Sequence, residues 1–415
     1  MNTSKLIPIV PYPDFVKVNE GTLPCRLLKI TADPFFTSCL SIIENQLEND
    51  NRIFSGSGET VALYTAVSVL HTDSFENEDS YALDVDDTGI RISSSFPAGI
   101  FYAFQTLRQL LKIYKNDLPL LEIKDISACK WRGFMIDTAR SFFSVSFLEK
   151  MIDAASFYKM NRFHWHLTDD QGWRFPVPEY PELTKTGAWR HDHRLPEDMQ
   201  PVCGGESEKG YYTEDEIKHL VQYASDRFVT VVPEIELPGH ASALLASYPA
   251  FGCRTSDSSA FQKYCVEDRW GIFDAAVCPG KDNVIDFFDT VFNSVCSLFP
   301  GKWVHIGGDE CKKDAWKQCP DCAARMKTNN LQNAEELQGW ITAKIAALLE
   351  SKGKVAIGWD EVIQEADKVA IPQTLVVQSW QGVAGARQAA ALHHCVIMSP
   401  QTDGCYFDYK NCSDS

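Results

Sequence analysis

No apolar run in the 415 residues reaches the ~18 to 20 that a membrane-crossing helix needs, so no spanning segment is expected. The stretch from Met1 to Phe15 lacks a basic patch followed by a continuous apolar run, so no export signal is expected there either. Basic charge is also scarce. The 39 Lys and Arg face 56 Asp and Glu, a net charge of −17 that repels phosphate backbones and anionic headgroups alike. Nucleic-acid and membrane-surface roles are therefore not expected. Apolar residues are not lacking: with 45% hydrophobic, 12% aromatic and 23% charged residues, the composition is that of a globular protein rather than a disordered or fibrous one. At roughly 150 residues per domain, the length allows two or three domains, or one large barrel with a smaller module.

Fourteen cysteines are many for a reducing cytosol, yet they are too dispersed for a small disulfide framework, and the compartment stays open. Cys311, Cys319 and Cys322 lie close together, the last two as Cys319-Pro-Asp-Cys322. Redox motif, zinc knuckle and loop disulfide are the readings. A structural zinc site normally takes its remaining ligands from a second pair of similar spacing, and none follows nearby, which favours loop cysteines. The sequons at Asn2 and Asn411 lie at the chain ends and carry little weight.

The first ~125 residues differ in pattern from the rest, with no Gly-, Ser- or Pro-rich linker after them. Tyr81 to Val85 and Gly89 to Ser93 alternate in polarity around Asp86-Asp87-Thr88, which predicts a hairpin. Pro97 then suits the first turn of a helix in which Ile100, Phe104, Leu107 and Leu111 share a buried face. From Cys129 onward, short apolar strands alternate with amphipathic helices, the pattern of a parallel sheet or βα-barrel. Seven strands are predicted, near Gly133 to Ile136, Asn161 to Leu167, Val229 to Ile235, Trp303 to Ile306, Val355 to Gly358, Leu375 to Gln378 and Val396 to Met398. Ser146 with Glu149, and Thr213 with Glu216, read as capping boxes at helix starts.

Polar and aromatic residues gather just after each strand: Asp137 to Arg140, Asp169-Asp170, Glu234 to His240, Asp309-Glu310, Trp359 to Glu361, Trp380, and Tyr406 to Asp408. A βα-barrel builds its active site from the C-terminal ends of its strands, so these clusters predict a site ringed by them. Carboxylates and Arg beside Trp and Tyr suit an uncharged, polyhydroxylated ligand, whose C–H faces stack on aromatic rings. The most informative string is His305-Ile-Gly-Gly-Asp309-Glu310, where two glycines permit a sharp turn and two carboxylates follow it into one pocket.

Five strings in this order, Arg132-Gly-Phe-Met-Ile-Asp-Thr-Ala-Arg140, His164-Trp-His-Leu-Thr-Asp-Asp-Gln-Gly-Trp-Arg174, Pro233-Glu-Ile-Glu-Leu-Pro-Gly-His240, His305 to Glu310 and Gly358-Trp-Asp-Glu361, carry a resemblance to a known family. The chain, from about Ile7 to its last residues, resembles the β-N-acetylhexosaminidases of glycoside hydrolase family 20, in particular bacterial members with a small α+β domain ahead of the barrel. The resemblance implies an N-terminal α+β domain over 1–127 and a TIM (β/α)8-type barrel over 128–415. It also implies removal of terminal β-linked N-acetylhexosamine by a retaining mechanism in which the substrate's own acetamido oxygen is the nucleophile. Glu310 would be the general acid and then the base, with a raised pKa, and Asp309 would stay ionised and hold the acetamide.

By the same resemblance Arg140 would fork onto ring hydroxyls, Trp359 and Trp380 would wall the acetamido pocket, Tyr406 would donate to the acetamide oxygen, and Asp408 would bond sugar hydroxyls. Asp169 and His240 would orient Glu310 from behind. A structural ion pair for Arg140, core packing for each Trp and a buried structural role for His240 are the alternatives. The ligand implied is a carbohydrate, and no cofactor or metal is expected. The resemblance also suggests bacterial periplasm or cell surface if a leader precedes Met1; oligomeric state is open. His164 and His166 share one face of a strand, a spacing also used by metal-dependent barrels, but the later strand ends offer Trp359, Asp360 and Trp380 where further His ligands would be needed. The family barrel has eight strands, and only Tyr409 to Ser415 follow Asp408. The expectation is therefore a barrel truncated after its seventh strand, lacking roughly 60 residues or more on the scale of the preceding βα units. An inactive remnant that at most binds sugar is the alternative to an active glycosidase.

Overall fold

The computed structural model describes residues 7–53, 64–190, 210–254, 264–363 and 368–401. By compactness the chain divides into two units, one comprising residues 1–134, 146–162 and 222–230, the other 135–145, 163–221 and 231–415.

The first unit contains a six-stranded sheet of β1 (Phe15–Pro24), β2 (Leu27–Ala32), β3 (Tyr64–His71), β4 (Tyr81–Asp86), β5 (Gly89–Ser94) and β6 (Asp117–Asp125), in the order β1-β6-β4-β5-β3-β2. The predicted hairpin is β4–β5. Its turn is tied by Asp86 Oδ1, which accepts from the backbone N–H of Thr88 at 2.8 Å and of Gly89 at 3.1 Å. The helix Pro97–Tyr114 follows, and Ile100, Phe104, Leu107 and Leu111 are buried in one core with the inward residues of the sheet. This is the periodicity of the sequence expressed as packing.

The second unit is built on a curled seven-stranded sheet whose strands lie in chain order: β7 (Gly133–Asp137), β8 (Arg162–His166), β11 (Thr230–Glu234), β12 (Trp303–His305), β13 (Val355–Trp359), β14 (Val376–Ser379) and β15 (Val396–Met398). A two-residue ribbon, β9 (Thr168–Asp169) with β10 (Gly172–Trp173), follows β8. From β11 to β15 the pairing is parallel, with Glu234 opposite His305 and Trp359 opposite Gln378. All seven predicted strands are present, within a residue or two of their expected ends. The helices Asp282–Leu298 and Ala334–Ser351 cover the sheet with apolar stripes, including Phe287, Val291, Leu337, Ile341 and Ile345.

The capping box at Thr213 forms, with Glu216 Oε2 accepting from the Thr213 N–H at 2.8 Å and Thr213 Oγ1 from the Glu216 N–H at 3.3 Å. At the other expected box the helix runs Val145–Phe157, so Ser146 lies inside its first turn rather than ahead of it. Among the described residues, no helix is long and apolar enough to cross a membrane.

Leu107 is fully buried, and Leu107→Ala should cost about 2 to 5 kcal/mol in urea unfolding, through the cavity it leaves. The midpoint should fall with little change in slope.

Candidate active site

The C-terminal end of β11 carries a carboxylate, Glu234, with no exposed surface. Its Oε2 lies 2.9 Å from His164 Nε2 and in closer contact with His166 Nδ1, both from β8. Its Oε1 lies 2.8 Å from His305 Nδ1 of β12 and accepts from the Trp359 indole N–H of β13 at 2.9 Å. Burial alone would raise the Glu234 pKa, but the imidazoles around it hold it well below the usual carboxylate range. His166 is shifted the other way. Burial opposes its charge, yet Glu234, Asp137 and Asp169 outweigh that and keep it protonated well above the ordinary histidine value. His164, whose largest influence is burial, falls to about 4 and is neutral near pH 7.

His166 passes the chain of contacts on, its Nε2 lying 2.8 Å from Asp169 Oδ2. The same oxygen takes Arg140 Nη2 at 2.7 Å, while Arg140 Nη1 donates to Asp137 Oδ2 at 2.7 Å. Asp169 Oδ1 is 3.2 Å from His240 Nδ1, which also meets Asp170 Oδ2 at 3.0 Å. On its far side, His240 Nε2 is 3.3 Å from Asp309 Oδ2 and 3.6 Å from Glu310 Oε2. Burial would raise Asp169, but Arg140 and His240 hold it well below its ordinary value. Burial would likewise lower His240, but Asp169 and Asp309 keep it well above its own.

Asp309 and Glu310 reach this network through a tight turn. Gly307 and Gly308 have φ of +63° and +103°, and a Cβ on Gly307 would lie 1.7 Å from Glu236 Oε2. Glycine is required there both for conformation and for space. Glu310 itself has φ +47° and His240 φ +46°, left-handed backbone at two non-glycine positions of the site. Burial first, and the Asp309 charge second, raise the Glu310 pKa.

These side chains line a cavity of about 360 Å³, with Met135, Arg140, His166, Glu236, Trp270, Asp309, Glu310, Trp359, Trp380 and Gln401 among its walls. That volume suits one sugar ring. Trp359 is present as expected, although its indole N–H is turned inward to Glu234. Trp380 donates its indole N–H to Glu361 Oε2 at 3.2 Å, and Asp360 Oδ2 accepts the Trp380 backbone N–H at 3.0 Å. Glu361, raised chiefly by burial and then by Asp309, reaches about 7. Tyr406 and Asp408 lie outside the described residues.

Among the cavity residues not singled out from sequence are Glu236 and Trp270. Glu236, fully buried, is raised well above the ordinary range by burial, then by the charges of Asp309 and Glu234. Its place two residues after Glu234 on one extended stretch was the available signal. Trp270 stands under Arg140, whose guanidinium carbon is 4.8 Å from the ring centroid. It comes from irregular chain with no periodic pattern to place it. Away from the cavity, Cys319 and Cys322 gather with Cys253 and Cys278, so the partners missing from the nearby sequence come from far upstream, and Cys311 is not among the four sulfurs.

A parallel βα sheet whose strand ends bring adjacent carboxylates, a braced guanidinium and aromatic walls to one sugar-sized cavity has the architecture of a barrel glycosidase. The model of the glycosyl hydrolase family 20 catalytic domain matches residues 129–415, and that of family 20 domain 2 matches residues 6–126. The chain belongs to glycoside hydrolase family 20. It is 36% identical to a beta-hexosaminidase of Porphyromonas gingivalis over 98% of this chain and 51% of that one. It is 35% identical to a beta-hexosaminidase of Vibrio furnissii over 80% of this chain and 53% of that one. The chain thus spans about half the length of these curated relatives. The crystal structure of beta-N-acetylhexosaminidase from Bacteroides fragilis aligns at a TM-score of 0.79 with 32% identity, covering 95% of this chain and 75% of that one.

Glu234 stabilises the fold in its ionised form above its unfolded pKa of ~4.3, and that contribution is lost only as pH falls through the depressed folded value. Glu234→Gln should therefore cost about 3 to 5 kcal/mol at neutral pH, because it removes the charge on which three imidazoles converge and leaves His166 with Asp169 as its close counter-charge; denaturant unfolding reads this directly. Gly307→Ala should lower the melting temperature and reduce ligand binding together, since Glu236 must move to admit the methyl group.

Proposed function

We propose that this protein removes terminal, non-reducing β-linked N-acetylhexosamine, GlcNAc or GalNAc, from glycans or chitooligosaccharides by a retaining, substrate-assisted mechanism. The observation that carries the reading is the adjacent pair at the cavity wall. Asp309 Oδ1 is buried with no hydrogen-bond partner among the described residues, an acceptor suited to an acetamido N–H, while the neighbouring Glu310 has its proton affinity raised. The family and the names of its relatives support the same reading.

In the first step the acetamido carbonyl oxygen attacks the anomeric carbon, the glycosidic C–O bond breaks, and Glu310 gives its proton to the departing oxygen. Asp309 offsets the positive charge that develops on the acetamide. In the second step Glu310, now a carboxylate, takes a proton from water as the water oxygen attacks the anomeric carbon and the acetamide reforms. Two displacements at one carbon retain its configuration. Arg140, braced by Asp137 and Asp169 on the cavity wall, is assigned to the ring hydroxyls. Trp359 and Trp380 are assigned to the acetamido group, and the family resemblance assigns Tyr406 to the acetamide oxygen and Asp408 to the sugar hydroxyls. Asp169 and His240 are positioning residues that hold the two carboxylates.

Glu310→Gln should lower kcat/KM on an aryl β-N-acetylglucosaminide by about 10² to 10⁴-fold. Because Glu310 must be protonated to donate, kcat/KM should fall as pH rises through its raised pKa. Asp309→Asn removes a charge that raises that pKa, so the alkaline limb should shift to lower pH and the rate should drop. A limb that stays in place would remove Glu310 from the role of acid. A full-length protein that binds N-acetylglucosamine without cleaving the glycoside would instead favour a sugar-binding remnant.

A further inference from the structure

Four thiols from three separated stretches meet in the interior of the second unit. Cys253 follows the one-turn helix Pro249–Phe251, and Cys278 follows Val277, which is bridged to Gly252. Cys319 caps the helix Pro320–Thr328, and Cys322 stands in its first turn. All four are buried, at 4%, 0%, 1% and 0% exposure. The sulfurs of Cys253 and Cys322 are 3.8 Å apart, those of Cys278 and Cys319 3.7 Å, and those of Cys278 and Cys322 3.5 Å, with all four within 4.8 Å of one another.

These separations are far too long for S–S bonds of about 2.05 Å. They match the edge of a tetrahedron whose centre lies about 2.3 Å from each sulfur, which is about 3.8 Å, the geometry of zinc bound by four thiolates. We propose that Cys253, Cys278, Cys319 and Cys322 hold one structural zinc ion.

Binding of Zn²⁺ expels four thiol protons and leaves a centre of net charge −2. Cys319 caps the Pro320–Thr328 helix, whose N-terminal dipole favours a thiolate there. Four soft ligands and no water position suit zinc in a structural role. The ion has a consequence for the cavity without entering it. Cys253 and Cys278 bracket the stretch that carries Trp270, and Cys319 and Cys322 begin the helix reached soon after Asp309 and Glu310. One ion therefore staples the chain that supplies an aromatic wall to the chain that supplies the carboxylates. This assignment stands whether or not the glycosidase reading is correct.

The test is elemental analysis of the full-length protein, purified from a reducing cytoplasm in zinc-supplemented medium and dialysed against a weak chelator. About one zinc per chain is expected, and the cobalt(II)-substituted protein should show intense thiolate charge-transfer bands with tetrahedral visible absorption. Cys319→Ser should lose the metal, while Cys129→Ser, at an exposed thiol elsewhere, should keep it. If Cys319→Ser fails to fold, the stoichiometry and cobalt spectrum of the unaltered protein decide alone. Zinc-free protein with four reactive thiols would overturn the assignment, as would iron in place of zinc. An intact mass lower by four hydrogens, showing that these thiols had closed into two disulfides, would overturn it too.

Discussion

A carboxylate without solvent stands at the middle of the barrel strand ends, and the site is arranged around it. Glu234 touches two imidazoles of β8, one of β12 and the indole N–H of β13. Isolated in the interior, such a charge would cost far more than a folded domain can supply, and it is tolerable because donors converge on both oxygens and His166 carries a compensating charge. The same contacts tie together the ends of β8, β11, β12 and β13. From there the order passes through His166 to Asp169, and from Asp169 to Arg140 and His240, whose far nitrogen faces Asp309 and Glu310.

Within that network, carboxyl groups of the same chemical type are driven in opposite directions. Asp169, between a guanidinium and an imidazolium, stays ionised far into acid, whereas Glu236 and Glu310 meet burial and the charge of Asp309 and hold their protons more tightly. Separation of this kind lets one site provide a fixed negative charge and a transferable proton at the same pH. The backbone contributes as well. Only a chain that turns through Gly307 and Gly308, with Glu310 itself in the left-handed region, brings both carboxylates to the cavity while leaving space for Glu236.

Much of this architecture was legible in the residues. Seven short apolar strands with polar ends were enough to expect a βα-barrel and to place its site at their C-terminal ends, because strand periodicity and barrel topology are local signals. Asp309, Glu310, Arg140, Trp359 and Trp380 do line one cavity, and Asp169 with His240 does sit behind it. Glu234 was visible only as part of a polar cluster, since its importance comes from His164, His166, His305 and Trp359, which converge on it only through the lateral order of the strands. Trp270 comes from irregular chain, where no repeat predicts which way a side chain faces. Cys253 and Cys278 are 25 positions apart and lie well upstream of Cys319, so spacing could not pair them with the Cys319-Pro-Asp-Cys322 knuckle.

The central claim is that this network presents two carboxylates to a substrate that carries its own nucleophile. It is tested most directly by measuring kcat on the full-length protein for aryl β-glycosides whose N-acetyl group bears zero, one, two or three fluorines. Each fluorine makes the carbonyl oxygen a poorer nucleophile and leaves the leaving group unchanged. The account predicts a rate that falls steeply and monotonically along the series, whereas a rate indifferent to fluorination would place the nucleophile on the protein or in water and contradict it.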